Sequence, residues 1–213
     1  MSLTLLFIHG WAFDASLWRD VAPRLASLRC VTADRGYFGE PVIPEADGPV
    51  VVVAHSLGAM HTLSSLPGVC RGLVAINGFD RFIAGPDNPG VAGRIVDRML
   101  DRLASEPDEV VRDFRRRCRE DEGFGPVNAE RLRADLQFLR DGDCRTRTAA
   151  APFPILSLHG ASDPVLPPAL RGAAFAGSAR LESGTCRDGG HLLPLTHADW
   201  CARMIEQFAG TMA

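Results

Sequence analysis

Three side chains of this 213-residue chain are of the types that together activate a serine for nucleophilic attack. Ser56 follows a run of four valines, Asp163 follows a later apolar run, and His191 lies in a glycine-flanked loop near the end. A serine becomes a strong nucleophile when a histidine takes its proton and a carboxylate orients that histidine. The three residues therefore predict acyl transfer through a covalent intermediate on Ser56.

The segment around this serine reads Ala54-His55-Ser56-Leu57-Gly58. Small residues on both sides of a serine, between a strand and a helix, are typical of the sharp turn that exposes its Oγ atom. Glycine is commoner where Ala54 stands, and alanine is the smallest side chain that could replace it. The alternative is that Ser56 only caps a helix, since serine is favoured at helix N-termini. The small neighbours favour the nucleophile.

The acid and the base each have an alternative interpretation. Asp163 could merely organise the turn Ser162-Asp163-Pro164, in which case Asp80, after the preceding strand, is the substitute acid. His191 could be an ordinary loop residue. We expect the remaining histidines to be structural or to begin a helix, namely His9, His55, His61, His159 and His197.

Stabilising the oxyanion that forms during acyl transfer requires two backbone N–H groups. One comes from the residue after the nucleophile and the other from the loop after an early strand. These positions are Leu57 and Trp11. We also expect the side chains of Trp11 and Phe114 to contact the substrate.

These residues are positioned by alternating strand and helix patterns, which predict an α/β fold with a mostly parallel central sheet flanked by helices. Asp14 can cap a helix over 15–25, a second helix follows Ser56, and a last helix covers about 197–208. The predicted strands are Leu3 to Ile8, Arg29 to Ala33, Val50 to Ala54, Gly72 to Asn77, Pro154 to His159, and about Ala179 to Glu182.

The pattern changes between residues 80 and 148, where amphipathic helical segments follow one another without a convincing strand. The segments are approximately Val91 to Ala104, Asp108 to Glu120 and Ala129 to Leu139. We therefore expect one domain, with a core of 1–79 and 149–213 and an all-helical cap insertion of 80–148.

Composition limits the other possibilities. A formal net charge of −3 gives no reason to expect nucleic-acid binding. The six cysteines are scattered singly, no metal-ligand spacing or phosphate-binding glycine loop occurs, and no cofactor is expected. Without a leader peptide or a run of about 20 apolar residues, we expect a cytoplasmic protein with no membrane span.

Several motifs stand in a characteristic order: Phe7-Ile8-His9-Gly10-Trp11, Ala54-His55-Ser56-Leu57-Gly58, Ser162-Asp163-Pro164 and Gly190-His191. With them the chain resembles the α/β-hydrolase superfamily along nearly its whole length, although with a shortened N-terminus. His9-Gly10-Trp11, Trp18 and the helical insertion are most similar to the pimeloyl-acyl-carrier-protein methyl ester esterases of biotin synthesis. The resemblance implies a Ser56, Asp163 and His191 triad, Trp11 and Leu57 as oxyanion donors, and a cap that receives an acyl chain.

The function predicted in this way is a serine carboxylesterase that hydrolyses a small acyl ester, such as the methyl ester of a carrier-bound acyl chain. Thioesterases and lipases use the same triad, and a catalytically inactive binding protein of the same fold is the alternative of a different class. A basic stripe at helical spacing could dock an acidic acyl carrier protein, or be a solvated face balanced by nearby acidic residues. Its members are Arg112, Arg115, Arg116 and Arg119.

Overall fold

The central sheet confirms the predicted α/β architecture. A computed structural model describes residues 3–46, 48–66 and 68–212 of the chain. Within these residues six strands form one sheet in the order β2-β1-β3-β4-β5-β6, and every neighbouring pair is parallel. The strands are β1 (Thr4–Ile8), β2 (Arg29–Ala33), β3 (Pro49–His55), β4 (Val69–Ile76), β5 (Ile155–Gly160) and β6 (Leu181–Cys186).

The middle strands are apolar because both faces of the sheet are covered. All residues from Val50 to Ala54 are fully buried, as expected for a parallel strand between two layers. No helix among the described residues is long and apolar enough to cross a membrane. The helices are α1 (Leu57–Ser64), α2 (Gly93–Leu103), α3 (Pro107–Arg117), α4 (Ala129–Asp141), α5 (Arg145–Ala150), α6 (Pro168–Ala173), α7 (Leu193–Thr196) and α8 (Ala198–Gly210).

The prediction of one helix over 15–25 is wrong. The segment instead forms two short 3₁₀ helices, Ala15–Trp18 and Ala22–Leu25. Asp14 caps the first as expected, since its carboxylate accepts a hydrogen bond from the Ser16 N–H at 2.8 Å. Pro23 explains the break, because it has no N–H and its ring conflicts with the helical carbonyl four residues earlier.

Residues 80–148 contain α2, α3, α4 and the first turns of α5. The β-structure of the described residues inside this range is limited to isolated bridges, such as Ile83 with Val91 and Gly85 with Asn88. The α2 helix packs against both α3 and α4. The bounds of a separate cap stay a prediction.

A buried carboxylate connects α4 to the loop after β2. Asp135 of α4 accepts hydrogen bonds from Arg35 Nε at 2.5 Å and Nη2 at 2.7 Å, and from the Tyr37 hydroxyl at 2.5 Å. His61 of α1 places its Nε2 atom 3.2 Å from the same carboxylate. Burial tends to raise the pKa of Asp135, but the nearby His61 and the hydrogen bonds from Arg35 hold it below its ordinary value. The carboxylate therefore joins three separate segments.

We predict that Asp135→Asn lowers the free energy of unfolding by about 3 kcal/mol, because it leaves the Arg35 guanidinium without its anionic partner. A carboxyl with a lowered folded-state pKa contributes stability above its ordinary pKa. The difference from the wild type should therefore shrink as the pH falls below about 4. Urea unfolding at several pH values measures this. Asp141→Asn, at the exposed end of α4, is the matched control and should change stability by less than about 0.5 kcal/mol. An equal effect of the two variants would contradict the prediction.

Candidate active site

Ser56 lies in a strained turn directly between β3 and α1. Its backbone has φ 52° and ψ −123°, a left-handed conformation that non-glycine residues seldom adopt. The turn is held against the end of β4, since the Ser56 N–H donates to the Ile76 carbonyl at 3.0 Å. The Ser56 side chain makes no capping hydrogen bond to α1. The hydroxyl is therefore not engaged in the capping interaction that was the alternative role for this serine.

Two glycines allow this turn to lie against the end of β1. A Cβ atom on Gly58 would stand 2.7 Å from the Ile8 carbonyl oxygen, which is backbone and cannot move aside easily. A Cβ atom on Gly10 would stand 2.9 Å from the Ser56 Cβ. Only glycine fits at either position, so the small-residue pattern of the sequence corresponds to a real steric limit.

Asp163 and His191 are in direct contact. His191 Nδ1 lies 2.8 Å from Asp163 Oδ2, and both side chains are fully buried. The other carboxylate oxygen, Oδ1, accepts hydrogen bonds from the N–H groups of Val165 at 2.7 Å and Leu166 at 3.0 Å. His191 Nε2 is buried and has no hydrogen-bond partner among the described residues. The pair thus presents one ring nitrogen without a partner.

The acid side of this pair is ionised at neutral pH. Burial tends to raise the pKa of Asp163, but the His191 charge and hydrogen bond and two backbone N–H groups lower it to about 2. An ionised carboxylate can only accept a hydrogen bond, so His191 carries its proton on Nδ1 when the ring is neutral. Asp80, the other acid considered, instead accepts from the backbone N–H of Phe175 at 3.2 Å.

Two further residues hold the loops of this pair, and the sequence reasoning missed both contacts. Asn77 Nδ2 donates to Asp163 Oδ2 at 2.5 Å and to the Gly190 carbonyl at 3.3 Å. His55 Nε2 bonds to the His191 carbonyl at 2.9 Å, and the two rings are 4.8 Å apart. Burial, followed by the nearby His191, lowers the pKa of His55 to about 3, so it is neutral. Asn77 was detectable, because it follows a strand at the same sheet edge as Ser56.

The two expected oxyanion donors lie beside the serine. Within the described residues, the backbone N–H groups of Trp11 and Leu57 donate no hydrogen bond. Leu57 begins α1, and the first N–H groups of a helix have no partner inside the helix. The Trp11 side chain is fixed by a hydrogen bond from its Nε1 to the Leu132 carbonyl at 2.9 Å.

An apolar pocket opens at Ser56. Trp11 and Phe114, the two predicted substrate contacts, both line it, and their rings meet edge-on at 5.1 Å. The pocket walls are formed by the loops after β1, β4 and β5 and by the start of α1, together with side chains of α2, α3 and α4. Its other lining residues include Leu57, Phe79, Phe82, Val91, Met99, Leu139, Val165 and one charged residue, Arg117.

The expectation that four arginines share one face is wrong. Arg115 points inward and is only 5% exposed. Arg119 lies beyond the end of α3 with φ 64°. Arg112 and Arg116 are exposed and pair with acidic residues one turn earlier on the same helix, Glu109 and Asp113. The Arg115 guanidinium lies over the rings of Phe13, Phe38 and Phe124, and helical spacing alone does not reveal these contacts.

Among the residues that the structure describes, one group outside this site could hold a metal ion. Ligand atoms of Cys186, Asp188 and His197 lie within 4.8 Å of one another, although their spacing in the sequence gives no metal signal. His197 Nε2 is 3.3 Å from Asp188 Oδ1, so a direct contact between the two side chains accounts for the arrangement without a metal. The absence of a metal at the active site stays a prediction.

Comparisons with known proteins place these features in context. The model of the alpha/beta hydrolase family matches residues 5–204. The pimeloyl-[acyl-carrier protein] methyl ester esterase of Methylococcus capsulatus is 27% identical over 96% of this chain and 93% of its own length. Its namesake from Aromatoleum aromaticum is 28% identical over 95% and 96%.

Solved structures show the same fold at low sequence identity. An esterase from Exiguobacterium antarcticum has a TM-score of 0.85 and 14% identity, with 98% of this chain and 92% of that chain covered. A bromoperoxidase from Bacillus anthracis has a TM-score of 0.82 and 17% identity, with 99% and 92% covered.

We predict that Asp163→Asn makes stability less sensitive to acid. Because the folded-state pKa of Asp163 is lowered to about 2, its contribution is present above the ordinary aspartate pKa and is lost as the pH falls from about 4 to about 2. The wild type should lose about 2 kcal/mol more than the variant across this range. Chemical unfolding followed by circular dichroism measures the difference. Asp101→Asn, on the exposed face of α2, should retain the wild-type slope. Parallel curves for wild type and Asp163→Asn would contradict the assignment.

Proposed function

Since the chain belongs to the alpha/beta hydrolase family, we propose that it is a serine carboxylesterase whose triad is Ser56, His191 and Asp163. The observation that carries the proposal is the buried His191–Asp163 contact, which leaves His191 Nε2 unpartnered at the sheet edge that holds the strained Ser56. A binding protein that had lost catalysis would have no need for a fully buried acid–base pair beside a strained serine. We further propose 80–148 as the cap over a core of 1–79 and 149–213.

The first half of the reaction forms an acyl-enzyme. His191 Nε2 accepts the Ser56 hydroxyl proton while Oγ attacks the ester carbonyl carbon. The carbonyl oxygen takes the negative charge and accepts hydrogen bonds from the N–H groups of Leu57 and Trp11. Asp163 stabilises the positive charge on the His191 ring. The tetrahedral adduct then collapses, and His191 gives its proton to the departing alcohol.

The second half releases the acid. Water takes the place of the alcohol, His191 Nε2 accepts one of its protons, and the remaining hydroxide attacks the acyl carbon. The same two N–H groups stabilise the second oxyanion. Collapse breaks the bond to Ser56 Oγ, and the proton on His191 returns to the serine. No step requires a group beyond the residues named.

The pocket indicates the kind of ester. Its walls are almost entirely apolar, so the acyl chain next to the reacting carbonyl should be apolar too. The relatives from Methylococcus capsulatus and Aromatoleum aromaticum are named for a methyl ester on a carrier-bound pimeloyl chain. We propose a substrate of the same class, in which the carrier remains outside the pocket and contacts exposed arginines at α3.

Ser56→Ala should lower kcat for p-nitrophenyl butyrate by about 10⁴-fold or more, because triad residues act as a unit. A fluorophosphonate probe should label the wild type at Ser56 and leave the variant unlabelled, as measured by mass spectrometry. Ser64→Ala, on the far end of α1, is the control and should retain labelling and rate. Undiminished hydrolysis by Ser56→Ala would refute the proposed nucleophile.

The carrier-binding proposal has a separate test, in which Arg115 is left unchanged because it is buried. The double variant Arg112→Glu and Arg116→Glu should raise KM for a carrier-bound methyl ester by about 10-fold, since rim charges mainly govern association with a charged partner. Hydrolysis of p-nitrophenyl butyrate measures the chemistry without a carrier and should change much less. Arg180→Glu, an exposed arginine before β6, controls for net charge. Equal losses on both esters would contradict the proposal.

A further inference from the structure

Arg115 is a buried charge that the triad does not use. It belongs to α3, yet its side chain turns away from solvent and is only 6% exposed. Removing a guanidinium from water is costly unless several acceptors replace the solvent. Burial accordingly lowers the pKa of Arg115, although Asp14 opposes this effect. The position therefore requires a specific set of partners.

Those partners belong to the loop after β1 and to the chain after α3. Arg115 Nε donates to the Ala12 carbonyl at 2.9 Å, which is the shortest of its contacts. Nη1 donates to the Glu122 carbonyl at 3.3 Å, and Nη2 to Asp14 Oδ2 at 3.4 Å. The guanidinium is also surrounded by aromatic rings at 5.0 to 5.3 Å, those of Phe13, Phe38 and Phe124.

The carbonyl held by Arg115 belongs to a strained residue. Ala12 has φ 62°, a left-handed conformation unusual for alanine, and is fully buried. Trp11 immediately precedes it and supplies one of the two proposed oxyanion donors. An alanine does not keep this conformation by its own preference, so contacts around it must maintain it. The Arg115 bond is the side-chain contact that holds its carbonyl.

The same turn of α3 contacts the rest of the site. Phe114 packs edge-on against Trp11 at 5.1 Å, and its ring centroid is 6.4 Å from that of His191. Arg117 donates from Nε and Nη2 to the Pro164 carbonyl, beside Asp163, at 3.1 and 2.8 Å. The last turn of α3 therefore touches the oxyanion loop, the base and the acid loop together.

We propose that Arg115 is a positioning residue that keeps the Trp11 N–H directed at the reacting carbonyl by holding the Ala12 carbonyl, so that the placement of α3 and stabilisation of the oxyanion are coupled. The inference rests on the proposed function, because it assigns Trp11 the role of oxyanion donor. Arginine suits the position, since its planar group can donate to three acceptors while stacking on rings. Lysine offers a single compact donor group and cannot reproduce that arrangement.

The test compares two variants. Arg115→Met has a side chain of similar length but no hydrogen-bond donors. Arg115→Lys keeps the positive charge, so it should fold if Arg115→Met is too unstable. Arg98→Met, an exposed arginine of α2 that has no role in the proposed site, is the matched control. Each protein is shown to be folded by circular dichroism. Four quantities are then measured: kcat and KM for p-nitrophenyl butyrate, the Ki of a trifluoromethyl ketone, and the rate of fluorophosphonate labelling.

A trifluoromethyl ketone adds to the serine and places an oxyanion where the substrate would, so its affinity reports on the donors. We expect kcat to fall by about 10- to 100-fold in Arg115→Met with KM changed less than about 3-fold, because misplaced donors weaken only the transition state. The inhibitor Ki should rise by the same factor as kcat/KM falls. Arg115→Lys should be intermediate, and Arg98→Met should match the wild type.

A purely structural role gives a different result. A folded Arg115→Met protein with unchanged kcat and unchanged inhibitor affinity would overturn the inference, as would a rise in KM alone. If Arg115→Met does not fold, the same outcomes in Arg115→Lys decide. The wild type separates this test from the proposed function: absence of labelling at Ser56 in the wild type would refute the esterase, whereas equal labelling of wild type and variants would refute only the role of Arg115.

Discussion

The first turn of α1 lies so close to the end of β1 that no side chain fits between the two backbones. A methyl group on Gly58 would meet the carbonyl of Ile8, and one on Gly10 would meet Ser56 itself. At this contact the chain passes from β3 into α1 through the single residue Ser56, which has a positive φ of 52°. Ala54 is tolerated because it is a strand residue in register with Ala75 and lies outside the contact. The two glycines, not position 54, set the steric limit.

Backbone strain is concentrated at the same edge of the sheet. Three of the non-glycine residues with positive φ among the described residues follow strands there: Ala12 after β1, Ser56 after β3 and Asn77 after β4. Each such residue costs about 1–3 kcal/mol, so the surrounding contacts must maintain it. The contacts differ in kind, with a buried guanidinium at Ala12, two glycines at Ser56 and the Asp163 carboxylate at Asn77. Strain and proposed function thus coincide in space.

Periodicity and local motifs were sufficient for the parallel sheet, because a strand covered on both faces is apolar along its whole length. The same reasoning placed Ser56, Asp163 and His191 at one edge, since loops after parallel strands emerge together. It failed in two places, one local and one decided by distant residues. Pro23 breaks a helix whose apolar spacing looked regular. Arg115 appeared to belong to an exposed basic face, yet rings from Phe13, Phe38 and Phe124 accept it, and no local pattern unites those three positions.

Arg115 also bears on how the proposed cap relates to the proposed chemistry. If α3 only covered the pocket, apolar contacts would be enough, and a buried charge beside the loop after β1 would be a net cost. The cost is offset by two carbonyls, a carboxylate and three rings, and three of these partners, at Ala12, Phe13 and Asp14, lie in the loop after β1. Arg115 reaches those three only when α3 is docked against that loop. Docking excludes water from an apolar pocket, and in that low-dielectric setting a backbone donor stabilises charge far more than it does in water. Under the proposed function, the contacts that exclude water are thus the same ones that align the proposed donor, and we expect the position of α3 to affect the rate as well as the affinity.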